Sequence, residues 1–320
     1  MKIITVDKNE AGQRLDKLLM KYLNKAPKSF IYKMLRKKNI TLNGKKASGS
    51  EKTQLNDEIK LFLSDETIQN FSEAYKKVEV KYDFTVVYED ADILLVNKPA
   101  GLLSQKAGKD DISLVEHIHS YLLNTNQIRE EELNTFKPGI CNRLDRNTSG
   151  LVAAGKTLAG LQVLSELFRE RTLDKYYLCI VKGMIKEGRQ INGYLRKDEK
   201  SNKVSVTGDN REGGEPIRTE YKPVQYNSRY TLLCVKLITG KTHQIRAHLS
   251  SIGHPVIGDS KYGNKEENQK FKKDFGLKYQ LLHSYQIGFP DLTGKFEYLS
   301  GKVFTAPLPD YFTRIQKELF

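Results

Sequence analysis

Apolar positions along the first quarter of the chain follow a helical period. Leu15, Leu18, Leu19, Tyr22 and Leu23 recur at i, i+3, i+4, i+7 and i+8, one face of a helix. Ser29 is placed to cap a second helix, with Phe30, Ile31, Met34 and Leu35 turned inward. That helix ends in Arg36, Lys37 and Lys38, cations suited to a helix C-terminus and to phosphates. Ile40-Thr41-Leu42 and Lys45-Lys46 then flank Asn43-Gly44, a hairpin signal, and a strand over 59–63 closes the unit.

Further on the period shortens. Residues 86–88 and 93–96 read as paired strands around a polar turn, the second running into Asn97-Lys98-Pro99-Ala100-Gly101. Residues 151–154 form a strand, entered through a tight turn at Thr148-Ser149-Gly150. Thr157 caps a helix whose inner face is Leu158, Leu161, Leu164, Leu167 and Phe168. Residues 175–183 alternate, with Tyr177, Cys179 and Val181 on one face and Tyr176, Leu178 and Ile180 on the other. Thr242 is expected to cap a helix in which Ile245, Leu249 and Ile252 pack while Gln244 and Arg246 lie off that face. Residues 124–137 are polar and acidic, which makes them a candidate for disorder.

Charge divides the chain further. Its 320 residues carry a net charge of +14, a surplus that favours a polyanionic partner. Residues 1–64 hold 15 Lys+Arg against 6 Asp+Glu, residues 65–75 net −3, and residues 76–320 net +8. This implies a basic module over 1–64, a linker over 65–80 and a larger domain over 81–320. Two helices and a basic hairpin aim cations at a folded RNA backbone, which is read mostly by shape and phosphate. The three cysteines form no CxxC pair, which argues against a disulfide scaffold or zinc ribbon. With a charged N-terminus and no membrane-length apolar run, a cytoplasmic protein is expected.

Three segments carry candidate chemistry. Asp145 stands between Arg143 and Arg146, a setting expected to keep it ionised, as a nucleophile requires. A surface Arg–Asp–Arg ion cluster fits the same residues. A tyrosine of 175–183 can stack on a base or serve as an ordinary strand aromatic. His243, His248 and His254 lack an i, i+4 spacing, and carboxylate and cysteine ligands do not gather near them, so no metal is expected.

Together these segments resemble the RluA-type pseudouridine synthase family. The motifs are Asn97-Lys98-Pro99-Ala100-Gly101-Leu102, the run 143–151 around Asp145, Lys175-Tyr176-Tyr177-Leu178, the run 239–246 ending in His243-Gln244-Ile245-Arg246, and Gly258-Asp259-Ser260-Lys261-Tyr262-Gly263. Residues 12–63 resemble the alpha-L (ribosomal-protein-S-four-like) RNA-binding domain, through Gly12-Gln13-Arg14-Leu15-Asp16, Ser29-Phe30-Ile31 and the run 40–45. The resemblance implies an α+β protein: a small α/β RNA-binding module followed by a mixed, mainly antiparallel sheet domain. It implies Asp145 as nucleophile, Tyr177 as active-site tyrosine and Arg246 as the arginine holding Asp145. Arg143 would fill the helix gap left by a flipped uridine. Lys98, Arg14, Arg36, Lys37, Lys38 and Lys45 join Arg143 as expected RNA contacts. Asn142 stands where the family often has His, which implies changed RNA contacts. The implied reaction is an isomerisation that needs no cofactor. The implied partner is large-subunit ribosomal RNA first and transfer RNA second, with the protein a monomer. A non-catalytic ribosome-assembly factor on the same scaffold is the alternative.

Overall fold

The computed structural model describes residues 1–73, 75, 78, 80–198, 203–209 and 213–320. The part of the expected linker at 74, 76, 77 and 79 lies outside these.

The basic N-terminal unit has its own sheet and core. It comprises β1 (Lys2–Thr5), α1 (Leu15–Tyr22), α2 (Lys28–Arg36), β2 (Ile40–Leu42), β3 (Lys45–Lys46), β4 (Glu58–Leu61) and α3 (Asp65–Phe71). The strands order as β1-β4-β2-β3. Leu15, Leu18, Leu19, Leu23, Ile31 and Leu35 bury against Ile40, Ile59 and Leu61, as the helical period predicts. Asn43 and Gly44 turn the hairpin with φ 50° and 72°, the left-handed pair such a turn requires. Two details differ from expectation. Pro27, not Ser29, precedes the first turn of α2; proline lacks the N–H that would be unpaired there. The segment read as a linker opens with α3, because the Ser64 side chain accepts from Thr67 N and Asp65 and Glu66 sit in its first turn. Phe71 of α3 then packs on Phe30, ring centroids 4.3 Å apart.

The larger unit is built on one mixed, mostly antiparallel sheet. Its elements are β5 (Thr85–Glu89), β6 (Ile93–Lys98), α4 (Leu114–Asn124), β7 (Gly139–Ile140), β8 (Ser149–Gly155), α5 (Leu158–Glu170), β9 (Asp174–Lys182), β10 (Arg189–Asp198), β11 (Lys203–Thr207), β12 (Glu215–Tyr226), β13 (Tyr230–Leu237), α6 (Gln244–Ser251), α7 (Lys265–Phe275), β14 (Leu282–Gly288), β15 (Val303–Thr305) and α8 (Asp310–Leu319). The order is β11-β10-β12-β13-β9-β14-β8-β6-β5, with β15 on β14 and β7 on β8. Both faces are covered, which explains the unbroken apolar run at 93–96. Leu94 and Val96 face the α4 side with Leu114, Ile118 and Leu122. Ile93 and Leu95 face the α5 side with Leu164 and Leu167. Truncating one such buried leucine to alanine costs about 2–5 kcal/mol.

Residues 124–137 are ordered, contrary to expectation. They include a 3-10 turn over Glu130–Asn134, and Ile128, Leu133 and Phe136 are buried. Three spaced apolar anchors outweigh the acidic composition. The same segment meets the basic unit: Thr135 Oγ1 donates to Glu10 Oε1 at 2.5 Å, a buried contact.

Candidate active site

Asp145 lies on the loop between β7 and β8, and the loop is fastened on both sides of it. Leu144 N donates to Ser104 Oγ, which donates back to Leu144 O. Gly101 N and Lys98 Nζ both donate to Arg146 O, at 2.8 and 3.2 Å. Gln280 Nε2 donates to Thr148 Oγ1 at 2.7 Å. Gly150 ends the loop at φ +113°, and a Cβ there would meet Ser284 O at 2.2 Å. Only glycine allows β8 and β14 to approach in parallel register.

The carboxylate is held from across the sheet. Arg246 Nη1 donates to Asp145 Oδ2 at 2.7 Å. Its other two nitrogens, Nε and Nη2, donate to Asp259 Oδ2 and Oδ1 at 2.6 and 2.8 Å. Burial disfavours the Arg246 cation, but Asp259 and then Asp145 raise its pKa above the ordinary value. Burial likewise disfavours the Asp259 anion, yet the Arg246 hydrogen bond leads the contacts that lower its pKa. The partner of Asp145 is thus Arg246; Arg143 and Arg146 are exposed on either side. The expectation that Gln244 and Arg246 lie off the packed face of their helix is corrected: both are buried. α6 faces sheet and cavity together, so its polar side chains are paired inside.

A cavity of about 420 Å³ opens over this pair, lined among others by Arg143, Asp145, Tyr177, His243 and Arg246. Tyr177 reaches it from β9, nearly buried. Burial pushes its phenol up to about 12, a Ser284 hydrogen bond opposes and Asp145 adds to the rise, so the ring is neutral at physiological pH. Arg169, Arg171, Lys175 and Lys241 also line the cavity. Arg169 and Arg171 lie outside every motif the sequence offers, and Lys175 and Lys241 lie inside two of them without a role assigned. Asp259 sits inside a recognisable motif, but nothing in that motif assigns it the bracing of Arg246.

Lys98 corrects an expectation. It is fully buried, not an RNA-facing cation. Its Nζ donates to Pro99 O, Leu102 O and Arg146 O at 2.9, 2.8 and 3.2 Å, matching the three N–H groups of an ammonium. Burial pushes its pKa down to about 7 and Asp145 opposes the fall. Proline and glycine after β6 curl the backbone carbonyls around the amine. Thr242 does not cap α6 either: His243 occupies the cap at φ 53° with no side-chain capping bond. His248 meets Thr219 Oγ1 at 3.0 Å and His254 meets Lys182 O at 2.9 Å.

In the basic unit, Arg36, Lys37, Lys38 and Lys45 are exposed. Arg14 is exposed as well, and it pairs with Asp16 at 3.0 Å from Nη2 to Oδ2.

Comparison with known proteins agrees with this geometry. Residues 92–251 match the family described as RNA pseudouridylate synthase. The Ribosomal large subunit pseudouridine synthase C of Pasteurella multocida is 30% identical over 298 residues, covering 90% of this chain and 86% of its own. That of Vibrio cholerae is 29% identical, covering 90% and 89%. An uncharacterized RNA pseudouridine synthase of Mycoplasma capricolum is 30% identical, covering 97% and 98%. The fold is shared with Human RNA Pseudouridylate Synthase Domain Containing 1, at TM-score 0.54 and 21% identity, over 76% of this chain and 97% of that one. An arginine-held carboxylate at the mouth of a basic cavity, on this fold and with this sequence kinship, establishes that the chain belongs to the RNA pseudouridylate synthase family, in its RluA-type branch, and is an RNA pseudouridine synthase.

Proposed function

We propose that the enzyme isomerises uridine in large-subunit ribosomal RNA, with Asp145 as its nucleophile. The observation that carries this reading is the one-sided hold on the Asp145 carboxylate. Arg246 takes Oδ2, leaving Oδ1 beside the cavity as the attacking oxygen. The target uridine leaves its stack at a cost of a few kcal/mol. Stacking on Tyr177 returns about 1–3 kcal/mol of that, and the exposed Arg143 fills the gap in the RNA. Asp145 attacks C1′ while the C1′–N1 bond breaks and uracilate departs. The base turns, C5 bonds to C1′ as the Asp145 carboxylate leaves, and C5 then loses its proton while N1 gains one. The atoms balance without a cofactor. One essential carboxylate separates this chemistry from glycoside hydrolysis, which ordinarily uses two.

The choice of ribosomal RNA rests on the Vibrio and Pasteurella relatives, which are named for that substrate. Residues 1–64 serve as the RNA-docking module, supported by their separate core and the exposed Arg36, Lys37, Lys38 and Lys45. The test is pseudouridine mapping of ribosomal and transfer RNA from cells lacking the protein, rescued by wild type or by Asp145→Asn. A ribosomal site that vanishes and returns only with wild type is expected. Restoration of that site by Asp145→Asn would overturn the nucleophile assignment. A site missing from transfer RNA instead would overturn the substrate assignment.

A further inference from the structure

Arg246 accounts for one Asp145 oxygen; the other faces a histidine that the mechanism above does not use. His243 Nε2 lies 3.9 Å from Asp145 Oδ1. That gap is longer than a hydrogen bond, and contacts of this kind in an empty site can tighten when substrate enters. His243 is also held in an unfavourable backbone shape. Its φ of 53° is left-handed at a non-glycine residue, and it makes no side-chain cap to α6. Such backbone strain concentrates where the surrounding structure enforces it.

The other ring nitrogen is held as well. His243 Nδ1 lies 3.0 Å from Tyr262 Oη. Tyr262 Oη accepts from Val204 N of β11 at 2.8 Å. With one lone pair so engaged, the phenol has its own O–H to give, and Nδ1 is the acceptor in reach. That assignment leaves the ring proton on Nε2, the nitrogen aimed at Asp145. Burial lowers the His243 pKa and Asp145 opposes, so the ring is neutral near pH 7 and carries one N–H. Tyr262 serves Arg246 as well: the guanidinium carbon sits 5.2 Å from its ring centroid. One tyrosine therefore braces both groups that flank the carboxylate.

We propose that His243 is a positioning residue for Asp145, its Nε2–H steering the oxygen that Arg246 leaves free, with Tyr262 fixing the ring's tautomer and angle. This rests on the reading of Asp145 as the reacting carboxylate. Val204 packs with Leu195, Ile217 and Ala247, so the anchor of Tyr262 is a strand seated on α6 itself. A carboxylate free to rotate about its last bond meets C1′ in the right geometry only part of the time. Removing that freedom speeds chemistry without adding affinity.

The test uses the full chain and large-subunit ribosomal RNA from cells lacking it, with enzyme in excess, reading pseudouridine formed in a single turnover. Glycine adopts φ 53° freely, so His243→Gly keeps the backbone and removes only the ring. Tyr262→Phe keeps the packing and removes only the hydroxyl. Each is expected to lower the rate at saturating enzyme by about 10–100-fold, with RNA Kd unchanged. The double variant is expected to be no slower than the worse single one, as groups acting in series require. A wild-type rate in His243→Gly would overturn the proposal, and so would effects confined to Kd or fully multiplicative rate effects in the double variant. Asp145→Asn runs beside them. If it still turns over, the reading of the site fails; if it is dead while the His243 and Tyr262 variants run at full rate, this inference alone fails.

Discussion

Asp259 grips Arg246 with both carboxylate oxygens, at 2.6 and 2.8 Å, and so decides which guanidinium nitrogen is left for Asp145. Asp259 is in turn fixed by Lys261 N and Tyr262 N, which donate to its Oδ1 at 2.8 and 3.1 Å. The orientation of Asp145 is thus inherited from a backbone turn at 259–262.

Asp259→Ala would leave Arg246 buried with half of its neutralising charge. A destabilisation of about 3–5 kcal/mol is expected, seen as a lower denaturant midpoint. Asp259→Asn keeps the shape and is expected to fold, but to slow single turnover by roughly 10–100-fold through misplacement of Arg246. An Asn variant at full rate would mean that Arg246 does not need this brace.

Lys98→Met separates a buried clamp from an RNA contact. It strands the carbonyls of Pro99 and Leu102, since Arg146 O keeps its bond from Gly101 N, at a cost of about 1–3 kcal/mol for each buried group left unpaired. RNA Kd and its salt slope are expected to stay at wild-type values in protein that remains folded. A shallower salt slope would restore Lys98 to the phosphate contacts.

His283 predicts an acid-sensitive fold. It is fully buried between Ser149 Oγ and Ala306 O, at 2.9 and 3.2 Å, and burial lowers its pKa from 6.5 to about 4. The unfolded chain therefore binds this proton more readily than the folded one. Its contribution is fully present above about pH 6.5 and is lost as pH falls through about 4, a change of roughly 3 kcal/mol. His283→Gln is expected to flatten the pH dependence of the denaturant midpoint over that window. The same slope in both proteins would exclude His283 as its source.

Replacing Arg36, Lys37, Lys38 and Lys45 together by glutamine tests the basic unit. All four are exposed, so stability is expected to change little. The slope of log Kd against log salt is expected to flatten by about one for each phosphate that the variant no longer neutralises. Single-turnover rate at saturating enzyme should hold. An unchanged slope would place the RNA elsewhere on the surface.

Much of this protein is written locally in its sequence. The helical period at 15–23 and the strand alternation at 175–183 survive in the fold, because each depends on which side chains can share one face. The Asn43-Gly44 turn survives because few other residues accept its dihedrals. Asp145, Tyr177 and Arg246 stand out through motif resemblance, and the cavity brings them together. What the chain could not declare is partnership at a distance. Asp145 and Arg246 are 101 residues apart, and the flanking arginines, charged though they are, stand exposed instead. Lys98 reads as a surface cation until proline and glycine wrap three carbonyls around it. His243 shows no sign of its left-handed backbone, which lies where Tyr262, Val204 and the packing of β11 on α6 meet. Period and composition describe the environment of a face; the direction of a single charged group is decided only when distant strands close around it.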